Sequence, residues 1–327
     1  MTVVATVAIL TFNGERYIRQ ILSALVGQDF DGGIEILVVD SGSTDATLAI
    51  VAEFPQVRLH EIPNSAFGHG KTRNLAAQLA MGEYVAFLTH DAIPASADWL
   101  TELIEPMRRF PEVVAVLGKQ EPRPDCIPIM KYEIRRAFAT QGPDFATTIS
   151  YLTPALERES QLFERAAIYS DVNSATRRDF LADTLPYRDV AYSEDQLFGR
   201  DVLRSGRAKA YAARGTVIHS NDLTYSEYRK RLFDEIVGMR RAGAELAPAQ
   251  RGYRAFARAV VLDPIEILRD RDYSVGRKFF WLFVNPFYHL VKYRVGRKAR
   301  RFDLADDAAF ARASLEARRK AQAAEDR

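Results

Sequence analysis

The chain has 327 residues, 47% of them hydrophobic and 27% charged, enough to bury a full core and to form one large domain with an appended element. Its 45 basic residues nearly balance 43 acidic ones, for a formal charge of +2, which excludes a global field that would draw the molecule onto nucleic acid. The lone cysteine, Cys126, excludes an internal disulfide and points to a reducing, cytoplasmic setting. No apolar stretch reaches the roughly 20 residues of a bilayer-spanning helix; the longest, 279–291, is interrupted by Asn285, Pro286 and His289.

From residue 1 to about 119, short β-branched runs alternate with helix-period segments, the pattern of an α/β fold with a mostly parallel central sheet flanked by helices. Strands are expected over 3–10, 34–39, 57–61, 84–88 and 113–117. Between them Tyr17, Ile18, Ile21, Leu22 and Leu25 share one helical stripe behind an Asn13 cap, and Ser43 or Thr44 caps a helix ending near Phe54. Further helices fit 71–81 and 98–110. Ligand sites in such sheets lie at the carboxyl ends of strands, so loops 11–15, 40–43 and 89–94 should converge. Residues 121–189, broken by prolines 122, 124, 128, 143, 154 and 186, read as an irregular, partly helical acceptor-side region. A helix over 193–205, a short strand over 216–219 and basic helices from about 223 follow. The organisation is therefore a domain over 1–222, with a nucleotide-binding half (1–119) and an acceptor-side half (120–222), then a helical, basic and aromatic extension over 223–327.

Three acidic sites carry candidate chemistry. Asp40 closes a strand and enters Ser41-Gly42-Ser43-Thr44-Asp45, where its carboxylate can accept from the N3–H of a uracil or thymine ring, or simply cap a strand-to-helix turn. Asp91 follows the 84–88 strand and suits Mg²⁺ or Mn²⁺ shared with substrate phosphates and water, or a plain turn. His219 offers the same ion a nitrogen, though a histidine there equally fits packing. Asp195, in Ser193-Glu194-Asp195-Gln196, sits in a first helical turn behind Ser193 as N-cap; there an ionised carboxylate can take a hydroxyl proton or merely offset the helix dipole.

Gly70-Lys71-Thr72 imitates a phosphate-binding loop, but its first glycine position holds Ser65, which disfavours a P-loop NTPase. Lys71 and Arg73 remain candidates for diphosphate oxygens. Between Arg269 and Arg301 ten basic residues face only Asp270 and Asp272, around Phe279, Phe280, Trp281, Phe283, Phe287 and Tyr288. That mixture suits the headgroup region of an anionic membrane better than nucleic acid, and a solvated face over a packed aromatic cluster is the alternative.

Taken in order, residues 7–14, 38–45, 67–74, 89–94 and 193–196 resemble family 2 glycosyltransferases of the GT-A (nucleotide-diphospho-sugar transferase) fold. Phe67-Gly68-His69-Gly70, Thr89-His90-Asp91-Ala92, Asp171-Val172-Asn173-Ser174-Ala175 and Glu194-Asp195-Gln196 are most similar to bacterial rhamnosyltransferases. The resemblance implies a dTDP-rhamnose donor, from which an inverting transfer is expected; the basic, aromatic tail points to a saccharide or lipid-linked saccharide of the cell envelope as acceptor, in the cytoplasm or peripheral on the inner face of the membrane. It implies a nucleotide-sugar set of Thr11, Phe12, Asn13, Glu15, Asp40, Ser41, Gly42, Lys71, Arg73, His90, Asn173 and Ser174, with Asn173 and Ser174 at the sugar. It implies Asp91 and His219 at a divalent cation and Asp195 as base. The wider family's acidic triad is reduced here to the single carboxylate of Asp91, which weakens the grip on a metal. A transferase using another UDP- or GDP-sugar, or a non-catalytic nucleotide-sugar binder, stands as the alternative.

Overall fold

The computed structural model describes residues 2–190, 192–241, 243, 253–315 and 317–318. The chain divides into two compact units, residues 1–123 with 134–220, and residues 124–133 with 221–327. The segment 124–133, expected within the acceptor-side half, thus groups with the second unit.

The first unit opens with β1 (Val3–Thr11), α1 (Ile18–Val26), β2 (Gly33–Asp40), α2 (Thr47–Ala52), β3 (Val57–Glu61), α3 (His69–Leu79) and β4 (Tyr84–Thr89). It continues through β5 (Ile93–Pro94), α4 (Trp99–Arg109), β6 (Val113–Glu121) and α5 (Pro128–Ala139), whose first turns belong to the second unit. Then come β7 (Thr147–Ser150), α6 (Pro154–Arg158), α7 (Ser160–Ala166), β8 (Asn173–Arg177), α8 (Glu194–Arg204) and β9 (Ala208–Ile218). One sheet runs in the order β3-β2-β1-β4-β8-β6-β9-β5, with β7 on β9. It is parallel from β3 to β4 and again between β6 and β9, while β8 runs against both β4 and β6.

Strand side chains alternate between two cores. Ala5, Val7 and Ile9 pack with Ile18, Ile21 and Leu22 of α1 and Trp99 and Leu103 of α4; Ala8, Leu37 and Val39 pack with Ala76 and Ala77 of α3 and Phe198 and Val202 of α8. Covering both faces explains why these strands read as near-continuous apolar runs. The register sets Thr11 beside Asp40 and Leu10 beside Thr89, so three strands end together. Because β8 is antiparallel, its start lies at the same edge: Asn173 pairs with Leu88.

Several local expectations are corrected. Helix α1 begins at Ile18 without a side-chain cap, and Asn13 instead accepts from Thr44 N at 2.8 Å. Neither Ser43 nor Thr44 caps α2; Asp45 accepts from Thr47 N at 2.9 Å. The short strand expected at 216–219 is the end of the longer β9, and β5, β7 and β8 were not foreseen.

The second unit holds α9 (Tyr225–Arg241), α10 (Tyr253–Arg269), α11 (Val275–Arg300) and α12 (Asp307–Ala313). Tyr228, Ile267, Tyr273, Trp281 and Tyr288 form one of its cores with Ile129 and Tyr132, and Phe233, Ile236, Val237 and Ala299 form another. Among the described residues, no helix is long and apolar enough to cross a membrane.

Candidate active site

The loops after β1 and β2 are stitched to each other. Backbone N–H groups of Asn13, Gly14 and Glu15 donate to Ser43 Oγ (2.9 Å), Thr47 Oγ1 (2.8 Å) and Asp45 Oδ2 (3.1 Å), while Ala46 N donates back to Glu15 Oε2 (3.0 Å). Asn13 holds φ 51°, a left-handed conformation that asparagine tolerates better than most residues. Asp40 is the hub. Its Oδ1 accepts from Thr11 Oγ1 (2.9 Å) and Ser43 Oγ (2.5 Å), and its Oδ2 accepts from Gly42 N (2.9 Å) and Ser43 N (2.8 Å). A carboxylate has about four acceptor positions, and all are taken on a fully buried residue. In this arrangement Asp40 shapes the turn from below, with its acceptor positions occupied by Thr11, Gly42 and Ser43. Thr11 and Ser41 are buried with it, whereas Phe12, Asn13, Glu15 and Gly42 reach the surface.

Beyond β4, Thr89 Oγ1 donates to Asp91 Oδ1 at 2.7 Å, and Asp91 Oδ2 lies 3.4 Å from His219 Nε2. The pair exists because β5 runs antiparallel to the end of β9, with Ile93 opposite Ile218. Arg123 locks it, donating to the carbonyls of Asp91 (2.5 Å) and Ser220 with its guanidinium over the Tyr17 ring at 4.0 Å. With Gln120 oriented so that Nε2 donates to Ser170 Oγ at 3.1 Å, its Oε1 accepts from His219 Nδ1, also at 3.1 Å. His219 Nε2 is then turned to the Asp91 carboxylate. Two acceptors at that separation repel unless a proton or a cation stands between them, which is how an outer hydrogen bond prepares a histidine ligand. Burial pushes the Asp91 carboxyl up, but the charge and hydrogen bond of His219, with His90 and Thr89, outweigh it and hold Asp91 well below the usual carboxylate range.

One oxygen and one nitrogen ligand fit a hard divalent ion that keeps its other positions for diphosphate oxygens and water. Among the described residues no group of three or more His, Cys, Asp or Glu side chains is assembled for a metal, so the pair suits a cation arriving with its substrate better than one held alone. His90 packs beside Gly14, joining this corner to the loop after β1.

The third element is the start of α8. Glu194 pairs with Arg73 of α3, and Arg73 Nε lies 3.0 Å from Asp171 Oδ2. Ser174 Oγ (2.6 Å) and Tyr187 Oη (2.7 Å) donate to Asp171 Oδ1. Two glycines allow the approach: a β-carbon on Gly70 would stand 2.4 Å from the Arg188 carbonyl, and one on Gly199 would stand 2.2 Å from that of Ala167. Arg73, expected at the diphosphate, is instead a buried counter-ion for two carboxylates. Burial disfavours its charged form, but Asp171 and Glu194 more than reverse this and hold it charged.

Asp195, on the next position, is half-buried. Burial, then Glu194 and Asp171, push its carboxyl up to about 8 despite the opposing charge of Arg73. Ser193 occupies the N-cap position at φ 64° and makes no capping bond with its side chain. The dipole and cap therefore do not hold Asp195 ionised at low pH; desolvation and like charge dominate.

Asn173 and Ser174, expected at the sugar, are fully buried. The Asn173 amide accepts from Trp99 Nε1 (3.0 Å) and donates to the Lys119 and Gly215 carbonyls (both 2.8 Å). Lys71 is exposed on the first turn of α3. The sheet edge thus brings Phe12, Asn13, Glu15, Gly42, Lys71, His90, Asp91, His219 and Asp195 to one end of the strands, with Thr11, Ser41, Asp40, Arg73, Asn173 and Ser174 beneath. Sequence reasoning quoted Asp171 and Glu194 within motifs but gave them no role, and it missed Arg123 and Gln120. Of the latter two only Arg123, set between Pro122 and Pro124, carries a local signal, a chain stiffened on both sides of one cation.

The parallel-led sheet with helices on both faces and polar loops at its carboxyl edge is arranged as in the GT-A fold. Solved structures share that fold: the mannosyltransferase PcManGT of Pyrobaculum calidifontis, in complex with GDP-Man and Mn²⁺, has a TM-score of 0.54 at 20% identity over 98% of this chain and 79% of its own. Staphylococcus aureus TarS 1-349, in complex with UDP-GlcNAc, has a TM-score of 0.52 at 20% identity over 95% of this chain and 79% of its own. The profile of Glycosyl transferase family 2 matches residues 6–185, and the chain belongs to that family. Among its relatives is the O-antigen chain rhamnosyltransferase RfbN of Salmonella typhimurium, 27% identical over 231 residues, 70% of each chain. The O-antigen chain rhamnosyltransferase WbaN of Salmonella anatum is 27% identical over 61% of each chain. A shorter match, 38% identical over 90 residues, covers 26% of this chain and only 16% of full-length TarS.

Proposed function

We propose that the enzyme transfers rhamnose from dTDP-rhamnose, with inversion, to a hydroxyl of a saccharide or lipid-linked saccharide in cell-envelope polysaccharide synthesis, working in the cytoplasm. The observation that carries the chemistry is the Asp91–His219 pair at the strand edge that also bears Asp195. The likeness to two O-antigen chain rhamnosyltransferases supports the sugar. In this reading Asp195 takes the acceptor hydroxyl proton as that oxygen bonds to the anomeric carbon. The bond from that carbon to the diphosphate breaks on the opposite side, and its electron pair leaves with the nucleotide. Asp91 and His219 would hold Mg²⁺ or Mn²⁺, which would neutralise charge gathering on the leaving diphosphate. Lys71 adds a second positive charge there, and Phe12, Asn13 and Gly42 line the nucleotide side.

A thermal-shift panel of dTDP-, UDP- and GDP-sugars with and without Mn²⁺ tests the donor and the cation together, because a bound ligand raises stability by mass action. The expected result is the largest upward shift with dTDP-rhamnose plus Mn²⁺, and loss of the Mn²⁺ increment in Asp91→Ala. At 100 times the dissociation constant the stabilisation is about 2.7 kcal/mol. A larger shift with a UDP- or GDP-sugar transfers the donor assignment to that nucleotide. An Mn²⁺ increment that survives Asp91→Ala removes Asp91 from the cation.

A further inference from the structure

We infer that the α10–α11 hairpin of the second unit is a docking face for an anionic lipid bilayer. On α11, Val275, Phe279, Phe283 and Phe287 recur every fourth residue, one face of a helix, and the three phenylalanines are 69%, 74% and 50% exposed. Phe280 adjoins them, 55% exposed. Val261, Ile265 and Leu268 form the matching exposed stripe on α10. These residues are not displaced core. The inward face of α11 is already filled by Trp281, Asn285, Tyr288 and His289, with Asp263 of α10 accepting from Asn285 Nδ2 (3.2 Å) and lying 2.8 Å from His289 Nε2.

Charge identifies the occupant. Arg269, Arg271 and Arg277 are exposed around the turn that joins the two helices. The two acids of that turn, Asp270 and Asp272, are engaged by the buried Lys131 at 2.9 and 2.8 Å. The turn therefore shows the solvent three arginines against one exposed acid, Asp272, which shares Lys131 with the buried Asp270; half-buried Glu266 is the other acid of α10 besides Asp263. Exposed aromatic side chains beside an excess of cations match the acyl-headgroup boundary of an anionic leaflet. A second copy of the same face would set arginine against arginine.

The test is co-sedimentation of the full chain with phosphatidylcholine vesicles with and without phosphatidylglycerol. Sedimentation only with the anionic vesicles, weakening as salt rises, is expected. Replacing Arg269, Arg271 and Arg277 by Gln should weaken partitioning about a hundredfold, and Phe279→Asp with Phe283→Asp should abolish it. Both variants alter exposed side chains, so an unchanged melting curve and an unchanged donor-induced shift are expected, which separates this surface from the transfer reaction. Failure of the wild type to sediment, equal binding to neutral vesicles, or a dimer that Phe283→Asp dissolves would each overturn the inference.

Discussion

Replacing Asp195 by Asn is expected to slow sugar transfer about 10²- to 10⁴-fold, the usual contribution of a positioned base, while donor affinity stays within about twofold of wild type. The substitution keeps the shape and the acceptor for Gln196 N, which lies 2.8 Å from Asp195 Oδ1. It removes a carboxylate crowded by Glu194 and Asp171, so thermal stability should hold or rise while turnover collapses. That combination separates a chemical role from a structural one, because loss of a supporting residue lowers both. Near-normal turnover in the variant would remove Asp195 from the reaction.

The second large effect is on stability. Arg73→Met leaves Asp171 and Glu194 buried without their shared counter-ion, and breaking a buried pair from one side costs about 3–5 kcal/mol. In the compact unit formed by residues 1–123 and 134–220 that lowers the unfolding midpoint by roughly 6 to 20 °C, readable by circular dichroism. Arg73→Lys retains the charge but cannot reach in two directions with a planar fork, so its loss should be intermediate. A midpoint for Arg73→Met within about 1 °C of wild type would show that the guanidinium does not sit between the two carboxylates.

The edge on which chemistry is proposed was legible because its signals are local. Runs such as Ile36–Val39 and Val85–Leu88 announce strands buried on both faces, and Asp40, Thr89 and Asp91 stand where those runs give way to turn residues. What an individual carboxylate or amide does there was less legible, because that depends on burial and on partners far along the chain. Asp40 reads as a free acceptor until Thr11, Gly42 and Ser43 fill its lone pairs. Arg73 reads as a phosphate ligand until Asp171 and Glu194, about a hundred residues away, claim it. Asn173 and Ser174 read as sugar contacts, yet an antiparallel β8 turns both into the core. Proline-rich sequence between 121 and 189 hid that strand. His219 was reachable only by resemblance, since its meeting with Asp91 depends on the two-residue β5 and on Arg123.

The pH dependence of transfer at saturating donor bears most directly on Asp195 as the base. Only the ionised carboxylate accepts a proton, so with a folded-state value of about 8 the rate should climb through neutral pH and level off above about 8. Stability should move the other way. The unfolded chain releases this proton near the ordinary 3.8, so between there and about 8 the folded state binds more protons and the contribution of Asp195 to stability declines as pH rises. In Asp195→Asn both slopes should flatten. A wild-type rate already level from pH 5 upward, or an Asn variant that keeps the climb near 8, would contradict the assignment.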